Sequence, residues 1–139
     1  MASAKSFRLP TELVALLGQR AAHDGVSQTE LLTSLLDEGL KVRAFPGVVY
    51  RDGPTGRRAA IAVGPDVWEI IGAIQRARGT GDGKVRTVAR TLGLDPSWVR
   101  LAVEFYAAHP REVDERIAAN EAAADRAREL AERHERLLA

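Results

Sequence analysis

Cysteine is absent from this 139-residue chain, so it has no disulfide framework and no thiolate metal site. The three histidines, His23, His109 and His134, stand far apart and fall into no ligand spacing. They read as structural or solvent-facing, and no cofactor is expected. No apolar run approaches bilayer length, and the opening M-A-S-A-K-S lacks a signal peptide's apolar segment, which predicts a cytoplasmic protein without membrane contact. No nucleophile–base pair rises above background, so an enzyme is not expected. Gly79-Thr80-Gly81-Asp82-Gly83-Lys84 invites a phosphate-loop reading but fails it. Arg78 stands where the first glycine must be, and Val85 replaces the Ser or Thr after the lysine. That segment is predicted to be a flexible linker between helices. Large net charge is also missing, at +1 overall. Its distribution says more: residues 1–43 balance five basic against five acidic groups, 44–110 carry nine against six, and 111–139 carry six against eight. A near-neutral total with a basic middle does not exclude DNA, because affinity follows where charge sits.

What is present begins with Lys5 to Arg43. Phe7 and Leu9 alternate with Ser6 and Arg8, the period of a short strand. Pro10 ends it and suits a helix start. Two amphipathic helices follow, separated by Asp24-Gly25. The first offers Leu13, Leu16, Leu17 and Ala21 to a core, the second Leu31, Leu32, Leu35, Leu36 and Leu40. Ser27 and Glu30 form an S-x-x-E capping box that sets where the second helix begins. One strand and two helices have unpaired strand edges and little core. Pairing two copies joins the strands antiparallel and buries the leucines of four helices together.

This stretch, with S-F-R-L-P as its strand, resembles the ribbon-helix-helix DNA-binding module of the Arc/MetJ/CopG superfamily. The resemblance covers roughly the first third of the chain. It implies a homodimer with Phe7, Leu9, Leu13, Leu31, Leu32, Leu35 and Leu36 in the shared core. It also implies contacts to double-stranded operator DNA from Ala4, Ser6 and Arg8 on the ribbon, and from Ser27 and Thr29 at the second helix. Ala4 offers no hydrogen bond, so base reading would rest on Ser6 and Arg8. An ordinary helical hairpin with a frayed N-terminus is the plainer alternative, and it leaves the Phe7/Leu9 alternation unexplained.

Arg43-Ala44-Phe45-Pro46-Gly47 is a short connection. V-V-Y-R, D-G-P-T-G and R-R-A-A-I-A-V then read as a β-hairpin, with Ala59, Ile61 and Val63 alternating with Arg58, Ala60 and Ala62. Asp66 and Glu69 cap a helix expected to reach Arg78, with Val67, Ile70, Ile71 and Ile74 on its buried side. Two more helices follow, one ending at Gly93, the next capped by Asp95 with Pro96 in its first turn. They look like a helix-turn-helix. Either that pair reads DNA through Ser97, Arg100 and nearby Arg90, or it is a packing unit that touches no DNA. Arg51, Arg57 and Arg58 are further candidates for phosphate contact. F-P-G-V-V-Y-R-D-G-P, G-P-D-V-W-E-I-I, the helix pair and A-A-H-P-R-E-V-D-E-R-I together resemble the domain of unknown function 433, of the VapB-like antitoxin family. That resemblance spans about Phe45 to Ile117 and implies a hairpin-plus-helices unit that partners a PIN-like ribonuclease toxin. In that family an arginine- and glycine-rich approach precedes the first helix, where this chain has apolar Ala59 to Val63.

Pro110 starts a last, long helix, rich in Ala, Glu and Arg, with Glu112/Arg116, Glu129/Arg133 and Glu132/Arg136 at favourable i,i+4 spacing. Val113, Ile117, Asn120, Ala124, Ala127, Ala131, His134 and Leu138 form a weak heptad-like seam. A solvated helix that orders against a partner is expected ahead of an autonomous coiled coil. The expected fold is mainly α with short β elements. A ribbon-helix-helix module spans 1–43, a β-hairpin plus helix-turn-helix-like helical domain 44–110, and a C-terminal helix 111–139. The resemblances together imply a dimeric transcriptional repressor that is also an antitoxin. The alternatives are a stand-alone regulator or a partition-type DNA-binding protein without a toxin partner.

Overall fold

In the computed structural model, which describes residues 1–139, helix α1 (Thr11–Asp24) starts directly after Pro10, whose φ of −53° already suits a helical entry. It stops at Gly25, which takes the left-handed conformation (φ 68°) and returns its N–H to Ala22 O, while Val26 N–H returns to Ala21 O. A β-carbon would strain that turn, and glycine carries none. Helix α2 (Gln28–Ala44) begins at the predicted box: Ser27 Oγ accepts from Glu30 N at 3.0 Å, and the Glu30 carboxylate accepts from Ser27 N at 3.0 Å. Each helix has a single buried residue, Ala21 in α1 and Leu31 in α2. The other expected core leucines are partly or largely exposed, Leu16 at 60% among them, and Phe7 is 72% exposed.

Residues 1–10 contain no strand. The alternation at Ser6 to Leu9 therefore does not produce a strand in a single chain. The physical reason is direct: a strand exists by pairing, and the one sheet of the molecule is the two-stranded pair described next.

By Cα packing the chain divides into two compact units, Met1–Arg43 and Ala44–Ala139. The second opens with an antiparallel hairpin, β1 (Val48–Arg51) on β2 (Arg58–Ile61), in the register Val48↔Ile61, Tyr50↔Ala59. β2 stops at Ile61, two residues short of the expected Val63. Its alternation also fails, since Ala59, Ala60 and Ile61 are all buried. An isolated bridge from Ala60 to Asp66 folds the following turn back over the strand. The Arg51 guanidinium straps that turn by donating to Gly64 O at 2.7 Å and Ile61 O at 2.9 Å.

Helix α3 (Val67–Arg76) carries the Asp66/Glu69 capping box and ends two residues before the expected Arg78, with Ala77 already extended. Helix α4 (Gly81–Leu92) corrects the linker expectation: Gly81 to Lys84 form its first turn, and of the glycine-rich segment only Gly79 and Thr80 stay in the connection, which runs from Ala77 to Thr80. The glycines mask a helical start whose periodic residues, Val85, Val88, Ala89 and Leu92, pack on the core. Gly93 closes α4 in the left-handed conformation, and Asp95 caps α5 (Pro96–Ala108) by accepting from Ser97 N. Pro110 opens α6 (Pro110–Leu138). The core gathers Val48, Ile61, Val67, Ile70, Ile71, Val99, Phe105 and Val113. Fully burying each such side chain contributes about 1.5–3 kcal/mol. His109 is part of this structure: its ring lies 5.1 Å from Phe105 and 5.9 Å from Phe45. No helix is long and apolar enough to cross a membrane.

Candidate nucleic-acid interface

In the first unit the two helices leave an open apolar cleft of about 380 Å³ between their leucine stripes, edged by Leu9 and Arg20. Leu13, Leu17, Leu31 and Leu35 are among the leucines that line it. These are residues named from the sequence as a shared core, and within one chain they line a cleft instead. The segment that would read DNA lies just before it. Ala4, Ser6 and Arg8 are exposed, as are Phe7 and Lys5 beside them. Lys5 Nζ sits 5.6 Å from the Phe7 ring centre, the i,i+2 neighbourhood that an extended backbone gives. Ser27 Oγ accepts from Glu30 N and keeps its O–H free to donate. Thr29 is exposed in the first turn of α2, and its carbonyl accepts from Thr33 Oγ1 at 2.8 Å.

In the second unit most of the nominated arginines are already engaged. Arg58, 21% exposed, donates to the Asp66 carboxylate, which also accepts from Trp68 Nε1 at 3.0 Å. Arg58 makes that bond through Nε, and its Nη1 is buried without a partner. It lies where a β-carbon of Gly53 would stand, so any side chain at position 53 would have to displace the end of the Arg58 side chain. Arg51 holds the β2–α3 turn, as above, and Arg57 pairs with Asp52 at 3.3 Å.

The helix pair α4–α5 shows the same economy. Arg100 donates to Asp82 at 2.5 Å, and Arg86 donates to the same carboxylate at 2.8 Å. The Arg100 hydrogen bond holds the Asp82 carboxyl below its ordinary range, and Asp82 in turn raises Arg100. Ser97 Oγ donates to Asp95 at 2.6 Å, which together with the Ser97 backbone N–H lowers that carboxyl. Ser97 and Arg100 thus secure the N-terminus of α5 and its tie to α4. Arg90 is exposed and has no side-chain partner.

Two tertiary ties escaped sequence reading. Arg116 on α6 donates to Thr55 O, to Thr55 Oγ1 at 3.0 Å and to Arg57 O at 2.8 Å, clamping the hairpin turn. Tyr50 O–H donates to Glu112 at 2.5 Å. These partners are about sixty residues apart, and the only signal in the chain, Glu112/Arg116 at i,i+4, pointed to a local helix pair instead. Thr55, Arg57, Glu112 and Arg116, with Trp68 and Val113, line a cleft of about 310 Å³. Tyr106, on α5, donates to Asp114 at 2.9 Å, which raises its phenol. Compared with known proteins, the chain matches no family model, no curated protein and no solved structure.

Proposed function

We propose that the protein is a dimeric DNA-binding repressor whose N-terminal segments pair as a two-stranded ribbon in the major groove of operator DNA. One observation carries the reading: an exposed strand-patterned segment, ending in Phe7 and Leu9, adjoins an apolar cleft that a single chain leaves uncovered. A second copy supplies both missing parts at once, a strand edge for the ribbon and leucines for the cleft. The ribbon-helix-helix resemblance of residues 5–43 implies the same arrangement. Ser6 and Arg8 then face the base edges, and Arg8 is suited to bidentate contact with guanine. Ser27 and Thr29 stand at a helix start, where a phosphate is favoured.

The second unit is the partner-binding half in this reading. Its resemblance to the domain of unknown function 433 points to a PIN-like ribonuclease toxin, whose active site would hold metal on carboxylates. An arginine presented to such a site must be free to leave its own chain. Arg78, Arg90 and Arg111 are exposed without partners, whereas Arg58, Arg100 and Arg116 are held within the unit. The engagement of Ser97 and Arg100 favours α4–α5 as a packing unit over a second DNA reader.

The deciding experiment separates the halves. A chain ending at Arg43 is expected to select the operator from random DNA. Its salt dependence should be shallower than that of the full protein, because phosphate contacts from the basic middle are gone. A chain starting at Phe45 is expected to retain a co-expressed PIN-like partner and to select no sequence. Selection of the operator by the Phe45-onward chain would make α4–α5 the reader and overturn the division.

A further inference from the structure

The outer part of α6, from Glu121 to Leu138, leaves the core: Val113 is buried and Ile117 packs on the core, but beyond Ala123 every residue is exposed. At 1.5 Å per residue this free length is about 27 Å. At 100° per residue, Ala127, Leu130, Ala131, His134, Leu137 and Leu138 fall on one stripe, and Leu137 is 85% exposed. The two flanks of that stripe differ in charge. One carries Glu121, Glu135 and, behind them, Asp125 and Glu132. The other carries Arg126 and Arg133, with Arg136 behind and Glu129 between Arg133 and Arg136, so this flank is net basic and the first net acidic. Arg128 is the exception on the acidic flank, and it is ion-paired to Asp125, on the side away from the stripe.

We infer that the occupant of this stripe is the same helix of a second copy, running parallel. The argument is symmetry. In a parallel pair the two-fold axis runs along the helices, so the basic flank of each lies beside the acidic flank of the other. An antiparallel pair sets like flanks together, with Arg126 and Arg133 facing their own copies. A helix with one net acidic and one net basic border is complementary to itself in the parallel sense alone. Arg133 of one chain then meets Glu135 of the other, two residues apart in height. Within one chain these two side chains lie on opposite flanks and do not meet. Alanines at the seam bury little area, so the pairing rests on the N-terminal dimer proposed above, which holds the two tails at a high effective concentration.

Because the chain has no cysteine, a single introduced thiol reports this geometry in the full-length protein. Leu137→Cys, at micromolar protein with diamide as oxidant, is expected to form an interchain disulfide at least tenfold faster than Glu132→Cys on the far side of the helix. Both positions are exposed, so neither variant disturbs the fold. Arg133→Glu in the Leu137→Cys background should slow coupling several-fold, and adding Glu135→Arg should restore it. A foreign partner for the stripe would show no such rescue. Sedimentation of the same samples separates the two ideas. A dimer whose Leu137→Cys thiols couple no faster than the control overturns the tail pairing alone. A monomer overturns both it and the N-terminal dimer. Faster coupling of Leu137→Cys chains to Ala123→Cys chains than to themselves shows an antiparallel pair, and an unrescued charge swap shows that the flanks do not match. Either result overturns the parallel assignment.

Discussion

Replacing Asp66 tests how the second unit is held together, because three jobs converge on one carboxylate. Asp66 is 7% exposed and accepts from the Arg58 guanidinium and from Trp68 Nε1. It also forms half of the capping box that starts α3. Asp66→Ala leaves Arg58, one of whose nitrogens is already buried without a partner, as an uncompensated charge in a mostly buried site. Breaking a buried ion pair from one side costs about 3–5 kcal/mol. Losing the cap adds about 1 kcal/mol, and stranding the indole N–H about 1–3 kcal/mol. These costs overlap, since they share one cavity, and a loss of about 4 kcal/mol is expected. Asp66→Asn keeps the cap and an oxygen for Trp68 and removes only the charge, so about half that loss is expected. Urea unfolding followed by tryptophan fluorescence reads the right unit, because Trp68 and Trp98 both lie in it. Adding Arg58→Met to Asp66→Ala should recover more than 1 kcal/mol, the signature of a coupled pair. Asp66→Ala within 1 kcal/mol of the parent, or strictly additive double variants, would refute this account of the site.

Arg8→Ala should weaken operator binding by about 1–3 kcal/mol per chain, felt twice in a dimer, and leave sedimentation unchanged; equal affinity in a gel-shift titration at fixed salt counts against the ribbon. Leu35→Asp places an unpaired charge in the apolar cleft and should convert a chain ending at Arg43 from dimer to monomer, at a cost of several kcal/mol; a folded monomer before the substitution would remove the premise. Asp82 titrates below the ordinary 3.8 of an aspartate because Arg100 donates to it. The stabilisation from that pair is therefore complete above 3.8 and lost as pH falls through the lowered value. A carboxyl carbon shift titration by NMR should show Asp82 late in the acid limb, and Arg100→Gln should return it towards the ordinary value. A titration that Arg100→Gln leaves unmoved would place the cause elsewhere.

Local signals carried far in this chain, and their limits are physical. Pro10, Gly25, Ser27/Glu30, Asp66/Glu69, Gly93 and Asp95-Pro96 each act within one helical turn, so each boundary they mark is found at that place in the structure. The misreadings occur where the deciding interaction is distant. Ala59 to Ile61 lost its alternation because the turn to Asp66 covers the strand, and Gly81-Asp82-Gly83 became helix because Val85 to Leu92 hold the rest of α4 on the core. In sequence Arg116 has a local partner in Glu112 four residues away, because the pull of Thr55 is invisible in one dimension. The site residues divide along the same line. Arg51, Arg58 and Arg100 are arginines in a basic segment, which composition reads as a surface for phosphate, yet each has a carboxylate or carbonyl of its own unit at hydrogen-bond distance. Arg8 has none. Arg78, Arg90 and Arg111 are unpaired as well, so what sets Arg8 apart is its place: it is the unpaired arginine next to Leu9 at the edge of an uncovered apolar cleft. That conjunction of charge and apolar surface, more than the free charge alone, is what the proposed second copy and operator would answer.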